Sequence, residues 1–168
     1  MRQVWALVTT LAWGLWFGGM VALFLFVSYL FVSDRATAMV AAPKMFFAFE
    51  RYQLAVATVA IIAAAAWRLS TRRVVLTAIF VLFALSAAGT VVGATFIRGP
   101  MEQLRVEGRS SGPEFTRLHK ASERVYIGQA VLLLIAGIIL PSAHQAVVRP
   151  DPLPDKEPGA DAPSAPQA

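Results

Sequence analysis

The stretch Val74–Ile97, VVLTAIFVLFALSAAGTVVGATFI, carries no charged residue. As a helix rising about 1.5 Å per residue it spans roughly 36 Å, enough to cross a hydrocarbon core of about 30 Å. Three further apolar runs have the same character: about Val4–Val32, Met45–Trp67 and Val125–Ala143. The chain is 57% hydrophobic, against about 45–50% for a soluble domain. That excess sits in the four runs, as a lipid solvent demands. The fold expected is therefore all-α: a four-helix transmembrane bundle with a partly helical third loop and a disordered C-terminal tail.

The first run starts beside Arg2 and is about twice as long as a signal-peptide core of about 7–15 residues. It reads as a retained helix, longer than the hydrocarbon thickness, that tilts or protrudes. Trp5, Trp13 and Trp16 in its first half and Tyr29 near its far end suit the membrane interface. Ser33-Asp34-Arg35 ends it. An Ala-rich segment then leads to Pro43, which suits the first turn of a second helix over Lys44–Trp67. Arg68, Arg72 and Arg73 lie in a short return to the third helix.

The one substantial loop is Arg98–Arg124. Gly99-Pro100 opens it, and Met101–Gly108 reads as helix, with Glu102 spaced to pair with Arg98 and Arg105. Ser111-Gly112-Pro113-Glu114 fits a capping box for an amphipathic helix that runs into the fourth span, which ends near Pro141. Residues 1–145 thus form the membrane domain. Residues 146–168, rich in proline and poor in apolar bulk, form a tail that cannot offset its ordering entropy.

Four spans place both termini on one side of the membrane. The excess of Lys and Arg on the loop side is slight and leans toward a cytoplasmic third loop. The net charge of +5 has its counterpart in anionic head groups of the lipid bilayer. No basic patch with interleaved aromatics points to nucleic acid.

The chain has no cysteine, which rules out disulfides, thiolate chemistry and Cys-bound metal centres. His119 and His144 are the only histidines, about 37 Å apart along one helix at the helical rise. They cannot both ligate one haem in one chain. No nucleophile–base pair or carboxylate pair stands out. The expectation is no cofactor and no enzyme. The alternatives are a haem- or copper-linked electron carrier, and a membrane-embedded enzyme or conduit using Glu50.

Glu50 and Arg51 lie inside the second span, where ionisable groups are costly. Near a helix end they can also reach water. Glu50, Arg51, Arg98, Glu102, His119, Ser122 and Arg124 fall at one membrane level and are expected to form a polar interface network, with Glu50 paired to a base. Gly14-x-x-x-Gly18 and Gly89-x-x-x-Gly93 have the small-residue spacing that lets helices approach closely, and glycine is also common in membrane helices. Gly14, Trp16, Gly18, Gly19, Gly89 and Gly93 are the helix-packing candidates. Packing within the chain is the first expectation, ahead of a homo-oligomer or a membrane protein partner.

Four segments in order resemble a known family. Leu15-Trp16-Phe17-Gly18-Gly19, Met45–Tyr52, Arg98–Arg105 and Phe115–Ser122 are similar to motifs of the TMEM205-like (DUF4149) domain family. The similarity covers about Leu11–Leu140. Ser28-Tyr29 stands where the family has Ala-Pro, and the proline of its Phe-Pro is missing near Ala48. The resemblance implies a four-helix integral membrane domain without established chemistry. The expected location is the cell (plasma or inner) membrane.

Overall fold

A computed structural model describes the backbone of residues 1–148 and the side chains of residues 1–145. Of the tail expected over residues 146–168, residues 146–148 continue the last helix, and the rest lies outside the described residues. The elements are α1 (Arg2–Ser33), α2 (Arg35–Thr71), α3 (Val74–Val92), a π-helical turn (Gly93–Arg98), α4 (Gly99–Val106) and α5 (Pro113–Val148). Among the described residues there is no strand. Arg2–Ser33, Arg35–Thr71, Val74–Val106 and Pro113–Gln145 are each long and apolar enough to cross a membrane. The chain is a polytopic membrane protein.

The helices close into a ring: α1 packs on α2, α2 on α3, α3 on α5, and α5 on α1. Thr10 meets His144 and Met20 meets Tyr126, so α1 and α5 run antiparallel. The start of α1 and the end of α5 therefore lie at one end of the bundle, with the α2–α3 turn. The α1–α2 and α4–α5 turns lie at the other.

Alanine makes the seams tight. Ala57, Ala60, Ala63 and Ala64 are all buried along α2. Small side chains at these positions let backbones approach, which matters in lipid because burying apolar surface drives nothing there. Around them Trp16, Met20, Trp67, Leu76, Ile79, Phe83 and Leu133 fill the core. Trp16 is completely buried, not interfacial as its type suggests.

Three boundaries differ from expectation. First, α2 starts at Arg35, not Lys44, because Asp34 caps it: Thr37 N donates to Asp34 Oδ1 at 3.0 Å and Thr37 Oγ1 to Oδ2 at 2.6 Å. These bonds hold the Asp34 carboxyl below its usual range. Pro43 therefore lies inside the helix.

Second, Gly99-Pro100 does not break the third span. A proline in regular α-register clashes with the carbonyl four residues back. The π turn immediately before it widens the backbone, and α4 continues to Val106. Third, α5 passes through Pro141 to Val148, held by buried Leu140 and Ala143 on either side. At its start, Glu114 does not close a capping box. Its carboxylate accepts from Arg109 at 3.2 Å, and Arg109 also pairs with Glu107 at 2.9 Å.

Candidate functional site

The residues expected to form one polar network divide into separate groups. α2 carries Glu50 between the buried Ala42 and Gln53, and the π turn carries Arg98 opposite it. Arg98 Nη1 lies 3.0 Å from Glu50 Oε2. The other carboxylate oxygen, Oε1, is buried without a hydrogen-bond partner among the described residues. Phe47, one turn before Glu50, has two guanidinium groups over its ring, Arg51 at 4.5 Å and Arg98 at 4.4 Å from its centre. The ring face carries negative charge density, so both cations are attracted to it.

Glu102 does not join this group. It pairs with Arg105 at 3.0 Å, leaving Arg98 to Glu50. Arg105 in turn lies over Phe115, which stacks on His119. His119 Nε2 is 3.2 Å from Glu123 on its own helix, and both side chains are exposed. Arg124 is also exposed, and Ser122 is half-buried. So Glu50, Arg51 and Arg98 come together through Phe47. Glu102 and His119 belong to a separate surface string, and neither Ser122 nor Arg124 has a place in the Glu50 pair.

A second polar layer lies within the core, and the sequence reading did not single it out. Gln53 is one turn beyond Glu50 on the buried face of α2. Its Nε2 donates to Gln129 Oε1 on α5 at 3.3 Å. Thr90 Oγ1 on α3 donates to the same oxygen at 3.4 Å. Three helices are thereby joined through one amide. Gly89 makes the space: a Cβ there would lie 2.8 Å from Gln129 Nε2. The buried Ser86 Oγ and Trp16 Nε1 have no hydrogen-bond partner.

The glycines sort by face. Gly19 is approached by Phe49 and Tyr52, each 3.1 Å from the place of a Cβ, and Tyr52 donates to Leu15 O. Gly89 accommodates Gln129. At Gly14, Gly18 and Gly93 nothing lies within 4 Å of an added Cβ. Of the expected intramolecular seams, Gly89 lies in one, against Gln129, whereas among the described residues Gly14, Gly18 and Gly93 have no close neighbour. The core face of α1 runs through Thr9, Ala12, Trp16, Met20, Leu23 and Val27. Gly14 and Gly18 are turned away from it, on an exposed line with Leu7, Leu11, Val21 and Leu25.

The glycine that matters most for α1–α5 packing is Gly137, which lies in no spacing motif. The Trp13 indole covers it, with Cε2 2.7 Å from the position of a Cβ. Trp13 Nε1 donates to Leu133 O at 2.7 Å. Only the absence of a side chain at Gly137 lets the ring reach that carbonyl.

His144 lies at the far end from His119. It meets Thr10 Oγ1 at 2.9 Å and the Trp67 ring at 5.2 Å. Among the described residues no group of three His, Asp or Glu converges as a metal site would require. No family model matches the chain, and neither a curated protein nor a solved structure matches it.

Proposed function

We propose that the chain is a non-enzymatic integral membrane protein with a structural, partner-binding or transport-accessory role. In this reading it is of TMEM205-like type and resides in the cell membrane, plasma or inner, with both termini on one side. The observation that carries the partner-binding role is the outer face of α1. Leu7, Leu11, Gly14, Gly18, Val21 and Leu25 recur at alternating steps of four and three residues, the spacing of a helix–helix seam. The two glycines form a notch at its centre, unoccupied by any helix of the bundle. Such a notch lets another helix come close enough for extended van der Waals contact, the main source of affinity between helices in lipid.

The test is isolation of the full chain from native membranes in mild detergent, beside Gly14→Leu/Gly18→Leu. Both positions point outward, so the variant bundle should unfold at an unchanged temperature. The wild type should retain a second polypeptide in fixed ratio, whether another protein or a second copy, and the variant should lose it. Identical composition in both preparations contradicts the reading.

One observation favours a second reading, a membrane-embedded enzyme or conduit through Glu50. Its Oε1 is buried and unpartnered, beside a π turn, a distortion frequent at functional sites. Glu50→Gln separates the two. If the Glu50–Arg98 pair is a structural clasp, the variant unfolds at a lower temperature, because Arg98 loses its carboxylate partner. Partner retention is then unchanged. If Glu50 carries protons or ligand, transport or turnover by the isolated complex falls to background while stability holds.

A further inference from the structure

The α2–α3 turn encloses a cleft of about 290 Å³ lined by Arg68, Leu69, Arg72, Arg73, Val74 and Thr77. We propose that this cleft binds the phosphate of an anionic phospholipid head group. Its volume is at the lower limit of small-molecule pockets, which suits a phosphodiester better than a larger ligand. Arg68 and Arg72 bring two guanidinium groups to its lining, beside Arg73.

The donors are arranged, not merely numerous. Arg68 Nε donates to Thr77 Oγ1 at 2.9 Å, which fixes the guanidinium plane across the two helices. That bond does not use the two Nη groups, the fork that grips two phosphate oxygens at once. Arg72 takes the left-handed conformation, φ 51, and so turns the chain back at the mouth of the cleft. α3 begins there with Arg73 as its N-cap, without a side-chain capping bond among the described residues, and Leu76 N donates to Arg73 O at 3.1 Å. The positive end of the helix dipole adds to the attraction for an oxyanion.

The surroundings favour a lipid over free phosphate. The cleft lies where two membrane-spanning helices end, at the level of head groups. Leu69 and Val74 on its rim are 74% and 87% exposed. In water these are unfavourable positions, whereas beside a bound lipid they meet the upper acyl chain. Free phosphate would use the arginines and leave that apolar rim without purpose.

Native mass spectrometry of the full chain tests this, with a short-chain phosphatidylglycerol, the matching phosphatidylcholine and inorganic phosphate as separate probes. One phosphatidylglycerol should be retained in preference to phosphatidylcholine, and millimolar phosphate should not displace it. Arg72→Gly should weaken retention about five-fold, and Arg68→Gln/Arg72→Gly about twenty-five-fold, if each arginine contributes as a basic residue at an anionic surface does. Glycine adopts the left-handed conformation readily, so Arg72→Gly keeps the turn and remains informative even if the double variant does not fold. Equal retention of both lipids, unchanged retention in Arg72→Gly, or displacement by inorganic phosphate would each overturn the assignment.

Discussion

Gly137→Leu is expected to destabilise the bundle by about 3 kcal/mol, the upper part of the range for overfilling a packed core. The reason is the rigidity of what it meets. The Trp13 ring lies over Gly137 with Cε2 2.7 Å from the place of a Cβ, and a fused ring cannot bend away as a methionine would. Moving it breaks the Nε1 bond to Leu133 O and disturbs the stacking on Phe17, whose ring centre is 5.8 Å away. α1 and α5 meet through few other contacts of this kind, Thr10–His144 and Tyr126–Met20 being the main ones. Thermal unfolding in detergent, followed by circular dichroism, measures the loss. The same change at Gly18, where nothing lies within 4 Å, should leave the transition in place.

The second large effect is expected at Gln129. Gln129→Met keeps the length of the side chain and removes the oxygen shared by Gln53 and Thr90. Thr90 Oγ1 retains a contact with Ser86 O at 3.4 Å, but the Gln53 amide, on a residue only 6% exposed, loses its partner. An orphaned buried donor costs about 1–3 kcal/mol. In membrane bundles such bonds average about 0.6 kcal/mol, because the unfolded chain also finds partners in lipid. A loss of about 1–2 kcal/mol is therefore expected. Gln53→Met/Gln129→Met should recover most of it, since two apolar side chains of similar shape leave nothing unpaired. A double-mutant cycle in detergent gives the coupling directly, and a strictly additive result would contradict the amide layer.

The spans were legible in the sequence because lipid leaves no other solution. A run such as Val74–Ile97 must be a helix that satisfies its own backbone groups. That Glu50 would seek a base also followed from the cost of a charge in apolar surroundings. Which base it meets did not. Arg98 had Glu102 within reach on its own helix, and only the π turn decides that it faces α2 instead. The start of α2 was marked by Asp34 and Thr37, a side-chain cap hidden beneath the more conspicuous Pro43. The glycines show the limit most clearly. The spacing of Gly14 and Gly18 says that they share a face, not which face. Gly137, with no partner at four residues, is identified only once Trp13 is seen across the bundle. Gln129 likewise acquires its role from Gln53 and Thr90, which the chain brings together from two other helices.

The outer face of α1, centred on Gly14 and Gly18, is proposed to receive another helix in the membrane. Its most direct test is a photo-crosslinking amino acid at Leu11, one turn from Gly14 on that face, activated in intact native membranes. One discrete protein adduct is expected, absent from Gly14→Leu/Gly18→Leu. A probe that reacts only with lipid, or an adduct pattern unchanged by the two leucines, would contradict it.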